Sequence, residues 1–318
     1  MGRYLARRLL LLVFTLFVAS ALIFALTNAL PGNVGRIILG PFASQHAVAV
    51  LNHQLGLDQP LDARYIHWLG DLLRGDWGRS LTYDTPVLPL VLGRLGRSLL
   101  LAAFALALLL PLAISAGVYA ALHEGGWLDR AFSVGGLAFG AIPEFVTGVF
   151  LILLFGLTLH WLPIQALPPT GATPLQWLAH LLMPALALVL TLFSYLFRMA
   201  RSGMLDALDA DYTRTATLKG LPGRTVIARH VLRNALLPTI TVAGAQIGWM
   251  VGGLVVVETL FRYPGIGSLT YSAATHKDLP LLVGCTLAIT FVFAFANFLA
   301  DLLYAALNPR ARQAFSGR

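Results

Sequence analysis

Residues 211–238 read DYTRTATLKGLPGRTVIARHVLRNALLP, a polar and basic stretch set between long apolar segments. Arg214, Lys219, Arg224, Arg229 and Arg233 all fall within it. A buried core cannot hold such charges unpaired, and a bilayer holds them less readily still, so the stretch lies in water. Its local signals define two helices. Asp211 is a good N-cap at the positive end of a helix dipole, Tyr212 to Lys219 continue the helix, and Gly220 is placed as its C-terminal cap. Pro222 has no N–H to donate and stops direct continuation. A helix of about 8 residues is about 12 Å long and marginal alone in water, so it needs something to dock against. A second helix is predicted over about 225–236, with Val226, Ile227, Val231 and Ala235 near one face and Arg224, Arg229 and Arg233 away from it. Pro238 then leads back into an apolar segment.

The segments on either side are long enough to cross a bilayer. Of 318 residues, 58% are hydrophobic and 11% charged, whereas a soluble protein carries about 25% charged residues. Spans of about 20 apolar residues are predicted at 9–30, 98–122, 135–159, 181–197, 239–261 and 281–303. The fold class is therefore an all-α integral membrane protein with about six transmembrane helices. One membrane domain accounts for residues 1–318, with an extracytoplasmic loop at 31–97 and a cytoplasmic loop at 199–238.

Placing the N-terminus inside puts fourteen of the 22 Lys and Arg residues on the cytoplasmic side. Six of the other eight lie in the long 31–97 loop, where the positive-inside bias weakens. Both termini are thus assigned to the cytoplasm. The first apolar run is longer than the 7–15 residues of a typical signal-peptide core, which favours a retained span. Cys285 is the only cysteine, which leaves no intramolecular disulfide and no cysteine-based metal site.

The exported loop contains NHQLGLDQPLDARYIHWLGDLLRGDWGRSL (52–81), which mixes Leu, Tyr and Trp with charges and predicts short helices against the membrane surface or a neighbouring subunit. In the fifth span Gly244, Gly248 and Gly252 recur every four residues, a stripe that either lets another helix approach closely or lines a solute path. In the third, Pro143 can kink or break the helix, and Glu144 beside it is an ionisable group at membrane depth. Glu144, Gly248 and Glu258 are the candidates for the translocation path. Glu258 and Asp301 sit nearer span ends, where interfacial solvation suffices to explain them.

No catalytic constellation appears. The two lysines precede Gly220 and Asp278, so G-x-x-x-x-G-K-[ST] cannot be formed; H-E-x-x-H is absent, and Ser268 lies in no G-x-S-x-G elbow. The chain is read as a non-enzyme that binds no cofactor or metal of its own.

Several motifs together resemble one family. The 211–238 stretch resembles the cytoplasmic coupling loop, the EAA-type motif, of ABC-importer permeases. LGLDQPLDARYIHWLGDLLRGDWGRSL, VVVETLFRYPGIGSLTYSAATHKDLPLL and NFLADLLYAALNPRAR resemble the first exported loop, the segment after the fifth span and the C-terminus of the B-type subunit in the dipeptide/oligopeptide/nickel permease family. The literal Glu-Ala-Ala is absent, with Arg214-Thr215-Ala216 in its place.

The resemblance implies a type I ABC-importer permease fold in a bacterial inner membrane. Its implied partners are a second homologous permease, two cytoplasmic ATPases that hold ATP and Mg, and an extracytoplasmic solute-binding protein, with no nucleic acid. It assigns ATPase coupling to Asp211, Tyr212, Arg214, Thr215, Ala216, Lys219, Gly220, Leu221, Pro222 and Gly223. Short peptides are the leading solute, and nickel or a metal chelate the alternative. An ion-coupled secondary transporter is the competing class; it usually shows inverted repeats with paired helix breaks, and only Pro143 marks such a break here.

Overall fold

The computed structural model describes residues 2–29, 42–54 and 58–307. Parts of the exported loop (30–41, 55–57) and the C-terminal NPRAR segment lie outside them. The described chain is helical throughout its long segments. In order these are α1 (Gly2–Ala29), α2 (Gln45–Gln54), α3 (Leu61–Leu73), α4 (Val87–Leu122), α5 (Trp127–Ala141), α6 (Glu144–Leu151), α7 (Pro174–Leu208), α8 (Asp211–Leu218), α9 (Leu232–Leu260), α10 (Ile266–Thr275) and α11 (Leu279–Leu307).

Four of these, α1, α4, α7 and α11, are long and apolar enough to cross a membrane. The helix covering the fifth predicted span, α9, has 29 residues, and several of its side chains, with Gly252, lie outside those described. The third predicted span is not one straight helix. α5 and the α6 segment, continued by a π-helical stretch Ile152–Thr158, meet at 104°. The break has a local contribution: the helical region is disfavoured for a residue before proline, and Ile142 is extended (φ −83°, ψ 128°) ahead of Pro143.

Prolines elsewhere do not break the helices. Pro111, Pro184 and Pro238 sit inside α4, α7 and α9. The predicted boundary at Pro238 is therefore absent. Gly223–Thr225, a π-helical turn Val226–Val231 and α9 run on as one rod. α7 starts with a capping box in which Thr173 and Gln176 exchange hydrogen bonds, with Pro174 at the first helical position.

The bundle core is built by α4, α7 and α9, with Leu101, Leu109, Met183, Leu196, Met250 and Leu254 fully buried. Small residues set the helix spacing. A Cβ on Gly117 of α4 would come within 2.7 Å of Ala200 Cβ on α7, and one on Gly248 within 2.9 Å of Phe293 on α11. Gly248, offered above as a path residue, is thus a packing contact between α9 and α11, and Gly244 meets Ala300 in the same way. α3 lies against the outer part of α1 in its own chain. Tyr65 packs edge-on to Phe24 and shares a 2.8 Å hydrogen bond with Ser20, and Arg64 just before it donates to Asn28.

At the end of the bundle that carries α8, Arg201 of α7 grips Asp129 of α5 through two hydrogen bonds of 2.7 and 2.8 Å, and the Gly125 N–H donates to the same carboxylate. Asp129 is only 4% exposed. Removing one partner of a buried pair leaves the other charge uncompensated. Arg201→Ala is therefore expected to destabilise the detergent-purified protein by about 3–5 kcal/mol, read as a lowered thermal transition, with Arg201→Ala/Asp129→Asn recovering much of the loss.

Candidate functional site: the docked helix and its anchors

α8 hangs between the end of α7 and the rod that leads into α9. Its first helical residue is Asp211 and its N-cap is Ala210, which makes no side-chain cap. The predicted capping role of Asp211 is not seen; the carboxylate keeps its favourable place in the first turn, facing the dipole. The other end is as the sequence indicates. Gly220 adopts φ +76°, its N–H donates to Thr217 O at 2.9 Å, and the Leu221 N–H reaches back to Ala216 O at 3.4 Å. This is the paired-bond ending that a left-handed residue permits. Pro222 then opens the next helical segment from its N-cap position.

The two faces of α8 are chemically distinct. Thr213 and Ala216 are buried against the protein's own body, where the Thr213 hydroxyl donates to Ala207 O at 2.7 Å. Ala216 joins an apolar cluster with Ala121, Met204, Val226, Val231 and Ala235. Three of the four residues predicted for the buried face of the second helix, Val226, Val231 and Ala235, are thus in place, while Arg224, Arg229 and Arg233 are exposed. Ala216, counted above among the contacts to a partner, is instead an anchor. Asp211, Tyr212, Arg214, Thr215, Lys219, Gly220, Leu221, Pro222 and Gly223 remain outside. Leu218 is 80% exposed, Tyr212 41% and Leu221 38%, apolar groups left uncovered on and just after α8 among the exposed Arg214 and Lys219.

At the opposite end of the bundle the structure joins residues that no local pattern linked. Glu258, expected to be solvated near a span end, is fully buried. It accepts from the Ser98 hydroxyl of α4 and from the Ser268 N–H at 3.0 Å, while Ser98 Oγ also accepts the Ile266 N–H at 2.7 Å. Gly265 has to be glycine, since a Cβ there would strike the Glu258 carboxylate. The PGIGS turn is therefore folded around Glu258, which packs into the chain's interior. Glu144 heads α6 and is half-buried.

Asp278 was missed in the sequence, although Asp followed by a helix with Pro at its second position is a start signal. It accepts from the Leu281 N–H at 3.2 Å as N-cap of α11, and from Ser80 Oγ at 2.5 Å and the Thr82 N–H at 2.9 Å. The segment around Ser80 and Thr82 is thereby pinned to the start of α11. Burial pushes the Asp278 carboxyl up, but the hydrogen bonds from Ser80, Thr82, Leu81 and Leu281 outweigh it and hold the group below the usual Asp value. Asp301 is also paired rather than simply solvated, with Arg8 of α1.

Residues 113–313 match the family described as the binding-protein-dependent transport system inner membrane component, and residues 1–95 match its N-terminal companion. The chain belongs to that family. The permease is 35% identical over 312 residues to a protein of Sinorhizobium fredii named "Probable peptide ABC transporter permease protein", covering 98% of this chain and all of that one. It is also 35% identical over 315 residues to the glutathione transport system permease GsiC of Escherichia coli, covering 98% and 99%. It is a multi-pass inner-membrane permease component of an ABC transporter, and the secondary-carrier reading is set aside.

Two outcomes test the anchors. Glu258→Ala strips an acceptor from buried donors and is expected to cost about 3 kcal/mol or more, measured by thermal unfolding; unchanged stability with altered transport would return Glu258 to the solute path. The Asp278 contribution is present above the unfolded Asp pKa of about 3.9 and fades as pH falls through the lowered folded value. Limited proteolysis within 76–85 should therefore begin only below about pH 4 in the wild type, and already at neutral pH in Asp278→Ala.

Proposed function

We propose that this permease imports short peptides, that its α8 seats in a groove of a cytoplasmic ATPase, and that the α8 end of the bundle, with both chain termini, faces the cytoplasm. The observation that carries the coupling role is the two-faced α8. One face is locked to the body through Thr213 and Ala216, and the other leaves Leu218, Tyr212 and Leu221 uncovered between basic residues. Exposed apolar groups gathered on a short element that is anchored to the body are what a partner groove takes up. The names of the relatives support the peptide class over nickel.

On this reading, α8 is held at both ends. Gly203 of α7 approaches Ala235 of α9 so closely that a Cβ would strike its carbonyl, which joins the outgoing and returning arms just behind α8. A displacement of α8 by an ATPase pair would thus be passed to α7 and α9 together. ATP and Mg would reside on those partner chains. A second permease would complete the pathway, and an exported binding protein would deliver the solute.

Leu218 is largely outside the fold, so Leu218→Glu carries little folding cost. It is expected to cut recovery of the ATPase with the tagged permease by about tenfold, roughly the 1–2 kcal/mol of a buried leucine contact, while melting stays at the wild-type temperature. Undiminished ATPase recovery in Leu218→Glu and Tyr212→Ala would sink the coupling role. Uptake of labelled di- and tripeptides, but not nickel, by cells carrying the complete system is the expected result for the solute.

A further inference from the structure

Where the chain climbs from α8 back into the bundle, it forms an open cavity of about 840 Å³. One wall is the π-helical turn Val226–Val231 with the first turns of α9; the other includes Ala306 near the end of α11. Two chemistries meet there. Arg229 and Arg233 stand four residues apart, hence on one side of the rod, and line the cavity on the α8 side. Leu236, Leu237 and Ile240 line it one to three turns further along the rod. Both arginines are exposed, and among the described residues neither is in an ion pair. Isolated π turns are rare and cluster at functional positions, and this one carries Arg229.

Paired guanidiniums match phosphate, to which the planar fork donates two hydrogen bonds at once. An acidic protein surface would also suit the arginines, but it would leave the Leu236, Leu237 and Ile240 wall uncovered. A free phosphate has no use for that wall either. An amphiphile satisfies both parts, with its head at the arginines and its chains along the apolar turns, and basic recesses between transmembrane helices at the cytoplasmic side are suited to such heads. We propose that this cavity holds an anionic phospholipid of the cytoplasmic leaflet, phosphate on Arg229 and Arg233 and acyl chain against Leu236, Leu237 and Ile240. The proposal rests on the reading that the α8 end faces the cytoplasm. A lipid in this position braces the start of α9 against the end of α11, beside the arm that carries α8.

The test is to purify the tagged permease with its partners in mild detergent and quantify co-purifying phospholipid by mass spectrometry, for the wild type and four variants. Arg229→Gln/Arg233→Gln is expected to lower bound phosphatidylglycerol or cardiolipin by about thirtyfold, from roughly 1 kcal/mol for each of the two basic residues at an anionic lipid surface, with recovery of the ATPase unchanged. Arg229→Lys/Arg233→Lys should retain most of it. Ile240→Trp fills the apolar wall without touching the arginines and should also expel the lipid, which decides the matter if the glutamine pair does not fold. Leu218→Glu should leave the lipid bound, so the coupling reading and this one fail separately. Equal anionic lipid in the wild type and the glutamine pair would overturn the proposal. So would loss of the ATPase with lipid unchanged, which would reassign the arginines to that partner.

Discussion

A carboxylate buried in a membrane-crossing bundle has no water to solvate it, so the protein must supply its partners. In this permease that constraint ties together segments far apart in sequence. Arg201 reaches back 72 residues to Asp129, Glu258 reaches 160 residues to Ser98, and Asp278 reaches 198 residues to Ser80. Asp301 holds Arg8 at the edge of the bundle. The first clasp closes α5 on α7 beside α8. The second folds the PGIGS turn onto α4, and the third fastens the segment around Ser80 to α11. Apolar packing in lipid is weakly directional by comparison, because tails are as oily as leucine. These polar joints therefore do much to select one arrangement of the helices.

Between the joints, close contact is set by residues without bulk. Gly117 on Ala200, Gly248 on Phe293 and Gly203 on Ala235 bring backbones together where side chains would keep them apart. The last of these lies directly behind α8. A short helix that is capped at Gly220, anchored at Thr213 and backed by such a contact moves with the bundle rather than bending on its own. Rigidity of this kind is what a lever requires, and it is the property on which the proposed coupling to an ATPase rests.

The family's outline was legible in the sequence because its signals are local and strong. Long apolar runs separated by basic loops, the Gly220–Pro222 stop, and the stripe of Val226, Val231 and Ala235 all appear where the pattern places them. The errors are local too, and each has a cause. Asp211 is a preferred capping residue, yet the chain enters α8 one residue earlier and Ala210 takes the cap. Pro238 signals a boundary, yet the surrounding bundle carries the helix through it. Pro143 does break its span: Ile142 before it is extended, and the two bent arms each pack against α7.

Sequence alone determined that this is a helical membrane protein, where its water-facing loop lies, and where α8 ends, since hydropathy, charge and the left-handed freedom of glycine act over a few residues. Only the tertiary structure decided what Glu258, Gly248 and Ala216 touch. A glutamate reads the same whether it meets a solute or a serine 160 residues away. A glycine stripe reads the same whether it borders a channel or Phe293. The partner across the bundle settles the role, and that partner is placed by helix packing rather than by neighbouring residues in the chain.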